Sequence, residues 1–152
     1  MSATAAMVKV DKSTVIDAPI ERVWAVLRDF NGHESWHPAV AESRIENQNP
    51  ADKIGAVRNF RLEDGGVLRE QLLALSDREH SFSYCLLDTP IPLFNYVAHV
   101  ALKPVTDGNR TFWQWRSSFT TPEGREEELQ RVVGEDIYMQ GFAAIRNTVA
   151  KA

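Results

Sequence analysis

The sequence is poor in cysteine: Cys85 is the single one among 152 residues. One thiol forms no internal disulfide and makes no cysteine-based zinc site. Long apolar runs are missing too. None approaches the roughly 20 residues that cross a bilayer, so no membrane span is expected. Met1 to Met7 carries no basic stretch followed by an apolar one, which argues against a secretory signal. Positive charge is not in excess: 17 Lys and Arg stand against 21 Asp and Glu, a formal net charge of −4. A broad basic surface for nucleic acid is therefore not expected. Repeats and low-complexity segments are also lacking. What is present is the composition of an ordinary globule, 43% hydrophobic and 25% charged. A chain of this length buries about 70% of its unfolded surface, enough to fold without disulfides or metal. The expectation is a cytoplasmic protein, monomer or homodimer, with residues 1–7 as a loose tail and 8–152 as one domain.

Val8 to Ile16 alternates and reads as a strand. Asp17-Ala18-Pro19 opens a helix, with Asp17 or Ala18 at the cap and Pro19 in the first turn. Ile20, Val23, Trp24 and Leu27 then recur as one apolar helical face. Asn31-Gly32 ends it, and His33 to His37 allows one more short turn before Pro38. From about 40 to 120 the pattern is six strands, near 40–47, 55–63, 67–76, 79–87, 95–104 and 110–120, separated by turn residues such as Asp64-Gly65-Gly66 and Asp107-Gly108-Asn109. Short connections favour antiparallel hairpins. A long helix over 125–150 follows, with a ridge of Leu129, Val133, Ile137, Gly141, Ile145 and Val149. Strand, two short helices, six strands and a long helix make an α+β fold in which an antiparallel sheet covers one amphipathic helix.

Alternation sorts the strand side chains into two sets. One holds Arg58, Phe60, Leu62, Leu68, Glu70, Leu72, Ala74, Phe82, Tyr84, Leu86, Tyr96, Ala98, Val100, Leu102, Trp113, Trp115 and Phe119. This set is the expected inner face. Its aromatics and few polar groups suit a small-molecule pocket or, equally, a solid core. Glu70 is costly to bury alone and calls for a partner, with Arg58 as the candidate.

His33-Glu34-Ser35-Trp36-His37 spells H-E-x-x-H. A zinc protease needs that motif on a long helix with a third ligand. Pro38 follows at once and pushes its predecessor out of helix, so no metal site is expected. His37 remains the best acid/base candidate, because imidazole titrates near neutral pH. Glu70 is the second. Cys85 has no neighbouring His or Lys to lower its pKa and makes a poor nucleophile.

Val15-Ile16-Asp17-Ala18-Pro19-Ile20-Glu21-Arg22-Val23-Trp24 resembles the opening of the SRPBCC (START-like) superfamily, in its polyketide cyclase/dehydrase-like branch. Further matches follow in order: Trp36-His37-Pro38, Gly55 to Arg58, Gly65-Gly66, Arg69 to Leu72, Tyr84, Pro90 to Tyr96, Thr111 to Phe119 and Pro122-Glu123-Gly124. The resemblance implies a helix-grip fold, a curved seven-stranded antiparallel sheet wrapped around the C-terminal helix with a cavity between. By similarity to the plant abscisic acid receptors, ligand-facing positions fall on His37, Phe60, Leu62, Glu70, Tyr84, Leu86, Tyr96, Trp113, Trp115, Tyr138 and Gly141. Arg58 joins them as the partner of Glu70. The loops Asp64 to Gly66 and Asp88 to Leu93 would guard the mouth. Those receptors carry a lysine at the position of His37 and an acid at that of Trp115, which argues against the same hormone as ligand. The lysine and acid set of norcoclaurine synthases is not recognisable.

The expected function is uptake of a hydrophobic, partly polar small molecule (lipid, aromatic or polyketide-like). The alternative is a cofactor-free cyclase or dehydratase using His37, Glu70 or a pocket tyrosine as acid/base. No cofactor is expected in either case. A third possibility uses Ile91, Pro92 and Leu93 as an exposed patch for a partner.

Overall fold

A computed structural model describes residues 6–150. Most of the expected tail, residues 1–5, lies outside the described residues. The chain runs β1 (Val8–Ile16), α1 (Ile20–Leu27), a 3-10 turn (Gly32–Ser35), β2 (Val40–Ile45), a second 3-10 turn (Glu46–Gln48), β3 (Val57–Leu62), β4 (Val67–Ser76), β5 (Ser81–Asp88), β6 (Phe94–Val105), β7 (Arg110–Thr120), α2 (Glu126–Arg131), a π-helical stretch (Val132–Met139) and α3 (Gln140–Ala150). All strands pair antiparallel in the order β1-β7-β6-β5-β4-β3-β2. Strands β2 to β7 form a meander of hairpins, and β1 returns to the far edge beside β7, from Val8 opposite Phe119 to Ile16 opposite Thr111. The curved sheet grips the C-terminal helical run, so the helix-grip expectation holds.

Side-chain alternation puts the apolar set on the concave face. Leu72, Tyr84, Tyr96, Ala98, Val100, Leu102, Trp113 and Phe119 are all buried there. The helical run closes against them with Leu129, Val133, Tyr138, Phe142, Ile145 and Val149. Ile20, Val23, Trp24 and Leu27 of α1 join the same core. Glu126, Glu127 and Glu128 occupy the first turn of α2, where negative charge suits the helix dipole. Among the described residues no helix is long and apolar enough to cross a membrane.

Four local expectations are corrected. Pro19 is the cap residue itself, in extended backbone, rather than Asp17 or Ala18, so its missing N–H costs the helix nothing. Strand β2 stops at Ile45, because Asn47 and Gln48 turn to positive φ. In β4 the register shifts between Leu72 and Ala74, and this bulge reverses the alternation. Ala74 therefore faces solvent, and Leu75 packs on the core in its place. The helix over 125–150 is not uniformly α. Its middle is a π stretch, with a step of five from the buried Val133 to the buried Tyr138 where an i+4 ridge would place Ile137.

Candidate functional site

Between the sheet and the helical run lies a cavity of about 250 Å³. Its floor comes from β3 to β7. One wall comes from the turn around His33, Trp36 and His37, and the other from Val132, Asp136 and Ile137 of the π stretch. Ile91 and Leu93 of the mouth loop also line it. Leu93 is buried and Ile91 half-buried, so the expected exposed patch at 91–93 instead turns inward. The two mouth loops approach each other: a Cβ added to Gly66 would sit 3.1 Å from Pro90 Cγ. Gly65 makes the hairpin turn possible with φ of 94°, and Asp64 Oδ1 accepts the Gly66 N–H at 2.9 Å.

The polar heart of the cavity is an ion pair. Arg58 and Glu70 stand opposite each other on β3 and β4, both buried. Arg58 Nε and Nη2 donate to Glu70 Oε1 at 2.9 and 2.6 Å, and Nη1 donates to the Phe30 carbonyl at 2.8 Å. The guanidinium also lies over the Phe30 ring, 4.1 Å from its centroid. Burial pushes the Glu70 carboxyl above its ordinary pKa, and Arg58 opposes that rise.

His37 is engaged on both sides. Its Nδ1 accepts the Ala39 N–H at 3.2 Å, which leaves the proton on Nε2 to donate to the Ile137 carbonyl at 3.1 Å. The ring thus ties the short turn to the π stretch. Burial lowers its pKa, against the bond to Ile137 and aided by Arg58, so it is held neutral. Tyr84 accepts the Trp115 indole N–H at 3.1 Å, and Tyr96 is hydrogen-bonded to Tyr138 through their hydroxyls. Burial pushes all three phenols well above their usual range.

His37, Arg58, Phe60, Leu62, Glu70, Tyr84, Leu86, Tyr96, Trp113 and Trp115 all line the cavity. Tyr138 and Gly141 stand behind that lining. Tyr138 stacks on Trp115 with ring centroids 4.1 Å apart. Gly141 lets the same tryptophan approach: a Cβ there would meet Trp115 Cζ3 at 2.8 Å. Sequence reasoning missed His33 and Trp36 as cavity residues, because H-E-x-x-H was weighed only as a zinc motif. The turn Gly32–Ser35 turns His33, Trp36 and His37 inward and leaves Glu34 and Ser35 exposed. In a turn of four residues that pattern is too short to show as a period in the sequence.

Fold and cavity together define a helix-grip protein with an internal pocket. The chain belongs to the polyketide cyclase / dehydrase and lipid transport family, whose model matches residues 7–150. Solved structures agree. The protein XoxI from Bacillus cereus is 25% identical, with a TM-score of 0.84 over 94% of this chain and 96% of its own. A protein from Nitrosospira multiformis is 28% identical, with a TM-score of 0.76 over 93% and 95%. The Zhui aromatase/cyclase from a Streptomyces species superimposes with a TM-score of 0.79 over 96% and 95%, at 18% identity, a likeness that speaks for the fold. A comparison with curated proteins finds no match.

Proposed function

We propose that this protein takes up a hydrophobic, partly polar small molecule of lipid, aromatic or polyketide-like type in the cavity between sheet and C-terminal helix. The observation that carries this reading is the cavity itself: about 250 Å³, walled by aromatic and aliphatic side chains, with a few buried polar groups. That make-up is the usual one for a small-molecule site, and the volume suits a ligand smaller than those filling the common pockets of roughly 300–1,000 Å³. Binding without conversion is favoured because the two acid/base candidates are already committed. His37 spends both nitrogens on the backbone, and Glu70 is held by Arg58.

A second reading has its own support. The family includes cyclases and dehydrases, and one fold neighbour is named an aromatase/cyclase. A buried cationic Arg58 and neutral phenols at Tyr84 and Tyr96 offer a shaped surface on which a reactive chain could fold and exchange protons.

Mass spectrometry separates the two. Purified protein is incubated with a panel of aromatic, lipid and polyketide-like compounds, and both the retained and the altered species are recorded. Retention of an unchanged compound is the expected result. Conversion faster than in buffer would transfer the assignment to the enzyme reading. Absence of both would defeat the cavity as a binding site for these classes.

A further inference from the structure

The buried polar groups of the cavity fall into two kinds. Arg58, Glu70, His37, Tyr84 and Tyr96 are bonded within the protein. His37 has no ring nitrogen left for a ligand, and each of the others is already anchored by at least one bond. Three other groups have no such tie. Among the described residues, neither ring nitrogen of His33 has a hydrogen-bond partner, nor do the indole nitrogens of Trp36 and Trp113. All three side chains line the cavity. His33 is only 6% exposed, and a buried polar group left unpaired is costly.

Resting on the binding function proposed above, we infer that His33, Trp36 and Trp113 form the polar recognition end of the cavity, and that its ligand is a neutral aromatic compound bearing a hydroxyl and a carbonyl. The three rings are set together by local structure. His33 and Trp36 are three residues apart across the 3-10 turn, where side chains at that spacing eclipse. Trp36 meets Trp113 edge-on, with ring centroids 6.4 Å apart. His33 stands edge-on to Phe60 at 4.5 Å.

Each ring dictates a partner. An indole nitrogen only donates, so Trp36 and Trp113 select acceptor oxygens such as a carbonyl. Burial, with Arg58 and His37 nearby, holds the His33 pKa well below its usual value. Neutral imidazole offers one donor and one acceptor on different edges of the ring, and a hydroxyl can answer either of them. A carboxylate is disfavoured, because the one cation lining the cavity among the described residues, Arg58, is already neutralised by Glu70. The flat walls of Phe60, Trp113 and Trp115 select an aromatic frame over a flexible chain.

The test is calorimetric titration of the full chain with three matched probes: an acetylnaphthol, a naphthoate and an ethylnaphthalene. The acetylnaphthol is expected to bind tightest. His33→Phe should weaken it about tenfold, the value of one buried hydrogen bond, while leaving ethylnaphthalene unchanged. Trp36→Phe and Trp113→Phe should each do the same to a similar or smaller degree, and H33Q, which keeps a donor and an acceptor, should recover most of the affinity. Ethylnaphthalene binding also reports that each variant keeps its cavity. Tighter binding of naphthoate than of acetylnaphthol would overturn the inference in favour of an Arg58-centred anion site. Equal weakening of all probes would reduce the three rings to wall-formers. Unchanged acetylnaphthol affinity in every variant would mean that water, not ligand, answers His33. If no probe binds the wild-type chain, the binding function itself fails for aromatic ligands, and that result is distinct from the others.

Discussion

Two arginine–glutamate pairs are built on neighbouring rungs of the same sheet, and they behave as opposites. Arg58 and Glu70 face the cavity. Arg69, one residue before Glu70 on β4, faces outward and holds Glu46. Arg69 grips that carboxylate with two bonds, Nε to Oε2 at 2.6 Å and Nη2 to Oε1 at 2.9 Å, and reaches Asp88 at 2.7 Å. Outside, the hydrogen bonds from Arg69 pull the Glu46 pKa down to about 2. Inside, burial pushes the Glu70 carboxyl up in spite of its arginine. The partners are the same chemically, so the medium decides the sign. In water the charge is cheap and the pair lowers a pKa; in the cavity desolvation outweighs the attraction. The inner pair is therefore a poor source of net stability, and its value lies in shaping the pocket.

The largest effect should come from breaking the inner pair on one side only. Arg58→Met leaves Glu70 buried without its cation and strips the Phe30 carbonyl of its donor. A loss of about 3–5 kcal/mol is expected in urea unfolding, a large share of the roughly 5–15 kcal/mol that holds a domain together. The double variant R58M/E70L, apolar on both sides, should recover most of it. A single-variant cost below about 1 kcal/mol would mean that the inner pair is as well hydrated as the outer one, and the contrast would collapse.

The next effect is read in pH, where the two faces act in different windows. His33 and His37 have folded pKa values below the ordinary 6.5. As pH falls through 6.5 the unfolded chain takes up protons before the folded one, so stability is full above 6.5 and drains away below it. The slope is at most about 1.4 kcal/mol per pH unit for each histidine. Glu70 works in the other direction. Its folded pKa is raised, so its contribution is present at low pH and is lost as pH rises through the folded value. Glu46 is depressed, and its contribution is lost only below its ordinary 4.5, toward about 2. Between pH 6.5 and 4.5 the inner histidines should thus dominate, and His33→Phe should flatten the slope there. An unchanged slope in that variant would show that His33 is hydrated and titrates as in the unfolded chain.

Much of the inner face could be read from the sequence, because a strand has a fixed period of two. Arg58, Phe60, Glu70, Tyr84, Tyr96, Trp113 and Trp115 followed from it, and the charge of Glu70 pointed to Arg58. Reading failed where the period changes. A bulge in β4 put Leu75 inside and Ala74 outside. A π stretch lengthened the step from Val133 to Tyr138 and set Tyr138 behind Trp115 rather than in the cavity wall. His33 lay in a turn of four residues, too short to show a period. That its nitrogens lack partners is a property of everything packed around it, and no local pattern carries that information.

The smallest effect should be that of Glu46→Gln. Arg69 would lose a bidentate partner but keep Asp88, and its guanidinium stays open to water. Pairs of this kind gain little over hydration and lose entropy in ordering two long side chains. Stability at neutral pH should therefore change only slightly, and the change should shrink further in high salt. What should disappear is the part of the acid transition below pH 4.5 that belongs to Glu46. Binding of acetylnaphthol should be untouched, because Glu46 lies on the far side of the sheet from the lining residues. A cost for Glu46→Gln comparable to that of Arg58→Met would make the outer cluster a clamp on the end of β2. The difference between the two faces would then be one of geometry, not of medium.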